Sequence, residues 1–187
     1  MNRHSPSFER LILPSLDAGY NLARWLLRDE ASAEDALQDA CLRALRHLDT
    51  LRESRDARPW FLRIVRNCCY SQLQTRSAHV EQSGFSDSGL EDAMADWQRE
   101  QGEPGLDPAR LLQAQRQREA IDAALRALPP PLREVLVLRE LEGLDYAEIA
   151  LIAELPLGTV MSRLSRGRAR LRELLSADTP SASSQKE

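Results

Sequence analysis

Along residues 32–48 the apolar positions fall at Leu37, Cys41, Ala44, Leu45 and Leu48, the i, i+4, i+7, i+8, i+11 recurrence of a helix with one buried side. Ser32 stands before this stripe as an N-cap, with Asp35 at the third position. An earlier apolar segment predicts a helix over 7–28 that Pro14 must break or restart, because proline lacks the amide donor and its ring clashes with the preceding turn. After the loop LDTLRESRDARP, Asp56 and Pro59 open a third helix reaching about residue 76, with Phe61, Ile64, Val65, Cys68 and Leu73 on its buried side. Residues 77–108 hold four glycines, two prolines and eight acids without sustained periodicity, and read as a linker with one short helix around 90–99. Helical periodicity returns over 109–128, 131–141, 146–153 and 156–175, and the polar tail 177–187 is expected to be disordered. No window alternates as a strand does. The expected fold is all-α, with two small helical domains, 1–76 and 109–176, joined by the acidic flexible linker 77–108.

Charge changes this picture more than composition does. The net charge of −4 over 187 residues argues against nucleic acid, but its distribution reverses the inference. Residues 1–76 carry 12 arginines against 10 acids, and 109–175 carry 11 against 9; the linker concentrates the negative charge. Cys41, Cys68 and Cys69 form no disulfide framework and no metal-spaced pair, and adjacent Cys68 and Cys69 read as small buried side chains. His4, His47 and His79 are scattered, and neither a phosphate-binding glycine loop nor a paired-carboxylate metal motif is present. No catalytic residue, metal or cofactor is therefore expected. No apolar run approaches the ~18 residues of a membrane span, and MNRHSPSFER has no signal-peptide core, so a cytoplasmic protein without membrane insertion is expected.

The C-terminal pattern is the most specific. Asp145 precedes a two-turn helix with Glu148 three residues on, a capping box, and Glu154 and Leu155 make a tight turn into a helix begun by Pro156. These are the dimensions of a helix-turn-helix. At about 100° per residue, Leu157, Val160, Leu164 and Leu171 share one side of the second helix. Ser162, Ser165, Arg166 and Ala169 point away from it, flanked by Arg163 and Arg170. Short side chains allow close approach to a major groove, and arginine reaches guanine or phosphate.

The stretch LREVLVLRELEGLDYAEIALIAELPLGTVMSRLSRGRARLRELL resembles region 4 of the extracytoplasmic-function sigma factors, the small specificity subunits of bacterial RNA polymerase. SAEDALQDACLRALRHL is similar to region 2.2 of the same family, and PWFLRIVRN to regions 2.3 and 2.4. The resemblance implies a sigma factor: a non-enzymatic partner of the RNA polymerase core subunits that recognises the −35 and −10 promoter elements and is held by an anti-sigma factor. Asp35, Gln38, Asp39 and Leu42 are then the core-binding residues; Leu42 lies about 140° from Leu37, among acids on the polar side. Trp60, Arg63, Arg66, Asn67 and Tyr70 are the expected −10 contacts, through phosphates and stacking. Thr159, Met161, Ser162, Arg163, Ser165, Arg166, Arg168 and Arg170 are the expected −35 contacts. The loop 49–58 is implied to hold a flipped −10 base.

Two positions depart from the family pattern. Glu154 stands where glycine is common at the turn, so either a positive φ there is strained or the turn is built differently. Met161 stands where lysine or arginine is common, which alters the −35 sequence read. The competing reading is a conventional helix-turn-helix regulator, against which residues 1–76 offer no ligand-domain strands and no phosphoacceptor setting. A regulator binds duplex tightly by itself, whereas a sigma factor is expected to bind promoter duplex poorly until polymerase holds it.

Overall fold

The computed structural model describes residues 5–51, 57–83 and 108–177, and every element among them is helical. Helices α1 (Ser5–Leu11) and α2 (Leu16–Leu27) are separated by a single 3-10 turn at Leu13–Ser15, the break that Pro14 forces. Helix α3 spans Glu30–His47 and α4 spans Ala57–Ser83. The second half comprises α5 (Pro108–Ala127), α6 (Pro130–Leu136), a π-helical turn (Val137–Leu141), α7 (Tyr146–Ala153) and α8 (Leu157–Ala177). Helix α4 runs seven residues past the expected end at 76, into the segment read as linker. The short helix expected around 90–99, the tail 178–187 and residues 52–56 of the loop 49–58 lie outside the described residues.

The expected cap and stripe of α3 are both corrected. Asp29, not Ser32, is the N-cap: its carboxylate accepts the Ser32 amide at 2.9 Å and the Ser32 hydroxyl as well, while Arg76 reaches the same carboxylate. The buried side of α3 is Ala33, Ala36, Ala40 and Ala44; Leu37 and Cys41 only flank it, and Leu45 is exposed. The reason is separation. Small side chains let α2 and α4 close in on α3, where leucines at those positions would hold them apart. The same need appears at Gly19 on α2, where an added Cβ would lie 3.0 Å from Phe61 and 3.1 Å from Leu37.

Helices α6 and α8 pack as closely, with Gly167 leaving room for Leu136, whose Cδ1 would be 3.0 Å from an added Cβ. Leu128, Val135, Leu138, Leu144, Ile149, Ile152, Val160 and Leu164 form the core here. This core is continuous with that of α1–α4, because α2 packs on α6 and α4 on α7. The two halves of the chain meet, and what they bury between them decides which surfaces remain available.

Candidate nucleic-acid and polymerase interfaces

Helix α7 has the sequence-predicted bounds and a complete capping box: Asp145 accepts the Glu148 amide at 2.8 Å, and Glu148 accepts the Asp145 amide at 2.8 Å. The turn that follows is built on Glu154 at φ 54°, ψ 47°, in the left-handed region, with the Leu155 amide reaching back to the Ala150 carbonyl at 3.0 Å. A side chain therefore occupies a conformation suited to glycine, and the turn is strained rather than rebuilt.

Helix α8 then presents Met161, Ser162, Ser165, Arg166 and Arg170 to solvent, with Thr159, Arg163 and Arg168 half-buried at its margins. It carries five arginines and one acid, Glu173. Two of the expected phosphate contacts are engaged with carboxylates: Arg168 grips Glu140 at 2.7 and 2.9 Å, and Arg170 pairs with Glu173 at 2.9 Å. The Glu140 contact holds the Arg168 guanidinium above its ordinary value. Both pairs are exposed and contribute about 0–1 kcal/mol, so a phosphate displaces them readily.

On α3, Asp35 and Gln38 are exposed and Leu42 is 47% exposed, a leucine on the polar side of its helix. Asp39 is paired with Arg43 at 2.7 Å. These four positions form one outward strip, and the buried alanines hold it away from the core.

The residues expected at the −10 element are placed differently. Arg66 donates Nε to Glu134 Oε1 at 2.5 Å, Tyr70 donates its hydroxyl to Glu134 Oε2 at 2.9 Å, and the Arg66 guanidinium lies 4.6 Å from the Tyr70 ring centre. Glu134 sits on α6 and is 0% exposed; the Arg66 side chain is 16% exposed. Asn67 accepts from Arg66 at 3.1 Å, Arg63 faces Glu154 at 4.0 Å, and Trp60 is half-buried against the core. Burial, then the neighbouring Glu134 charge, raises the Tyr70 phenol well above its ordinary value. At the end of the same interface Arg58 donates to the Glu142 carboxylate at 2.9 Å and to its carbonyl at 3.0 Å. Arg133, buried beside Glu134, donates to Trp25 O at 2.6 Å across the interface, and to Leu128 O at 2.8 Å and Arg126 O at 3.2 Å in its own half. Burial lowers its guanidinium to about 10.

Glu134 and Glu142 were not singled out from the sequence. The available signal was Arg133–Glu134 inside the apolar run PLREVLVL, since adjacent charges are buried only when partnered. Among the described residues no cluster of three or more His, Cys, Asp or Glu side chains is arranged to hold a metal, and no helix is long and apolar enough to cross a membrane.

Residues 11–79 match the sigma-70 region 2 family and residues 118–171 the sigma-70 region 4 family. The SigE factor of Mycolicibacterium smegmatis, an ECF RNA polymerase sigma factor, is 31% identical over 170 residues, 91% of this chain. The chain spans 62% of that relative's length, just under two thirds. The ECF RNA polymerase sigma-E factor of Escherichia coli K12 is 34% identical over 142 residues, covering 72% of this chain and 69% of the relative. Among solved structures, the sigma factor RpoE of Bartonella quintana, crystallised with the anti-sigma factor NepR, superposes with a TM-score of 0.72 at 29% identity, over 92% of this chain and 99% of that one. With two family segments in the same order, and helix-turn-helix geometry in the second, the chain belongs to the ECF group of the sigma-70 family of RNA polymerase sigma factors.

Proposed function

We propose that this chain directs core RNA polymerase to promoters, without enzymatic chemistry of its own, through three surfaces. Asp35, Gln38, Asp39 and Leu42 dock on the core subunits. Trp60, Arg63, Arg66, Asn67 and Tyr70 hold the opened −10 strand. Thr159, Met161, Ser162, Arg163, Ser165, Arg166, Arg168 and Arg170 engage the −35 duplex. Residues 1–76 and 109–176 act as separable modules joined by the acidic linker 77–108, and the chain works in the cytoplasm under an anti-sigma factor of the kind that RpoE binds.

The observation that carries this reading is an asymmetry. The outward sides of α3 and α8 are open to solvent, whereas Arg66 and Tyr70 of α4 are tied to the buried Glu134 of α6. The isolated chain can therefore meet polymerase and duplex, but it must separate its two halves before Arg66 and Tyr70 reach a strand. Polymerase binding is the event that separates them. The test is transcription in vitro by core polymerase reconstituted with the full chain, with start sites mapped genome-wide. Gln38→Ala with Leu42→Ala should weaken core association at unchanged helicity and melting, because neither side chain is buried. Intact core binding by that double variant removes the α3 surface. Sub-micromolar, sequence-specific duplex binding by the free chain favours the conventional-regulator reading.

A further inference from the structure

The outward side of α8 is not uniformly polar. Leu157, expected on the buried side with Val160 and Leu164, is instead exposed because it stands at the first turn of α8, beyond the core; it and Met161, one turn on, are 50% and 51% exposed. Taking buried Val160 as zero, Met161 lies at about 100°, beside Ser165 at about 140° and Ser162 at about 200°. It thus borders the small-residue patch, and Arg166 lies on the patch's far side. Two exposed apolar side chains among Arg163, Arg166, Arg168 and Arg170 do not suit an apolar protein partner, since docking one would take from water the Arg166 guanidinium and the exposed ion pairs of Arg168 and Arg170. They suit duplex DNA, which offers phosphates to the rim and, in the major groove, one apolar feature: the C5-methyl of thymine. The N-terminal turns of a reading helix are those that reach base edges.

Building on the −35 reading above, we infer that Met161, backed by Leu157, packs its thioether on a thymine methyl, so that a T·A pair is selected at the base step it faces. A cation at this position would donate to guanine O6 and N7; an unbranched, polarizable thioether has no proton to donate to either and gains only from a methyl.

The experiment uses holoenzyme assembled from purified bacterial core polymerase and the full chain, on a promoter library randomised through the −35 region. Wild type should enrich thymine at one position on one strand, and Met161→Ala should lose that preference while keeping the rest of the motif. On the enriched promoter, deoxyuridine in place of that thymine removes only the methyl. It should weaken wild-type binding about four-fold, the value of one buried methyl group. It should leave Met161→Ala unaffected. An enriched motif that is unchanged in Met161→Ala, or a deoxyuridine effect equal in both proteins, overturns the inference and leaves the −35 reading intact. A uniform loss on all −35 sequences also overturns it, assigning Met161 to a polymerase contact. No enrichment by wild type would overturn the −35 reading itself. Met161 is exposed, so the variant tests recognition rather than folding.

Discussion

Replacing Glu134 with alanine should open the chain. In the closed arrangement Glu134 is fully buried, and both of its bonds, to Arg66 and to Tyr70, come from α4. Removing one member of a buried pair costs about 3–5 kcal/mol, because the other charge is left without a partner. Arg66 keeps some contact with water at 16% exposure and keeps Asn67, so the lower end, about 3 kcal/mol, applies. This penalty falls on the closed arrangement alone; once the halves part, Arg66 is solvated. A 3 kcal/mol bias raises the open-to-closed ratio by about 150-fold. The assay is the distance distribution between dyes on α3 and α8 in the full chain, together with the affinity for a fluorescent −10 single strand. Glu134→Ala should lengthen the distance and tighten strand binding; Glu134→Gln, which still accepts from Tyr70, should fall between. An unchanged distance and unchanged strand affinity would refute the role of this pair, as would a lower melting temperature with the chain still closed.

Glu154→Gly should stabilise the protein by about 0.5–1 kcal/mol, since glycine relieves the left-handed turn and the 4.0 Å contact with Arg63 contributes little; an unchanged urea midpoint would deny the strain. Burial pushes the Cys68 thiol up to about 11 and Cys69 up to about 12, so at pH 8 neither should be alkylated by iodoacetamide without denaturant, as mass mapping would reveal. Asp29→Ala should lose about 1 kcal/mol of helix capping at neutral pH. The Ser32 hydroxyl and amide hold the Asp29 carboxyl below its ordinary 3.8, so its contribution is complete above that value and fades as pH falls through the lower folded one. The gap between wild type and variant should therefore narrow only below about pH 4, and a gap that narrows between pH 7 and 5 would count against the assignment.

Features written in consecutive residues were legible before the structure. Pro14 broke the first helix where its missing donor required, and the capping box bounded α7 at Tyr146 and Ala153. Competition between neighbouring signals misled at α3. Asp29 and Ser32 are both good caps, and leucines outweigh alanines in any hydrophobic stripe, yet tight helix spacing selected the alanines. The contact between halves left one local trace, the charged pair Arg133–Glu134 inside an apolar run, and nothing that named its partner. Arg66 and Glu134 are 68 residues apart, and no sequence pattern links one to the other. Only the geometry brings Arg66 and Tyr70 onto Glu134 of α6; their roles at a −10 strand stay with the experiments above.

The glutamates facing α4 have a consequence for how the chain meets DNA. Glu142, Glu154 and Glu134 stand opposite Arg58, Arg63 and Arg66, which on the proposed −10 role would otherwise face the phosphates of a strand. They are a covalently tethered decoy. A tethered ligand acts at an effective concentration on the order of millimolar, so a promoter strand offered to the free chain at micromolar concentration meets a rival it cannot outnumber. On the proposed −10 role, access of a single strand is therefore expected to require displacement of these acidic side chains, and weakening the Glu134 contact should register first as promiscuous binding of single strands.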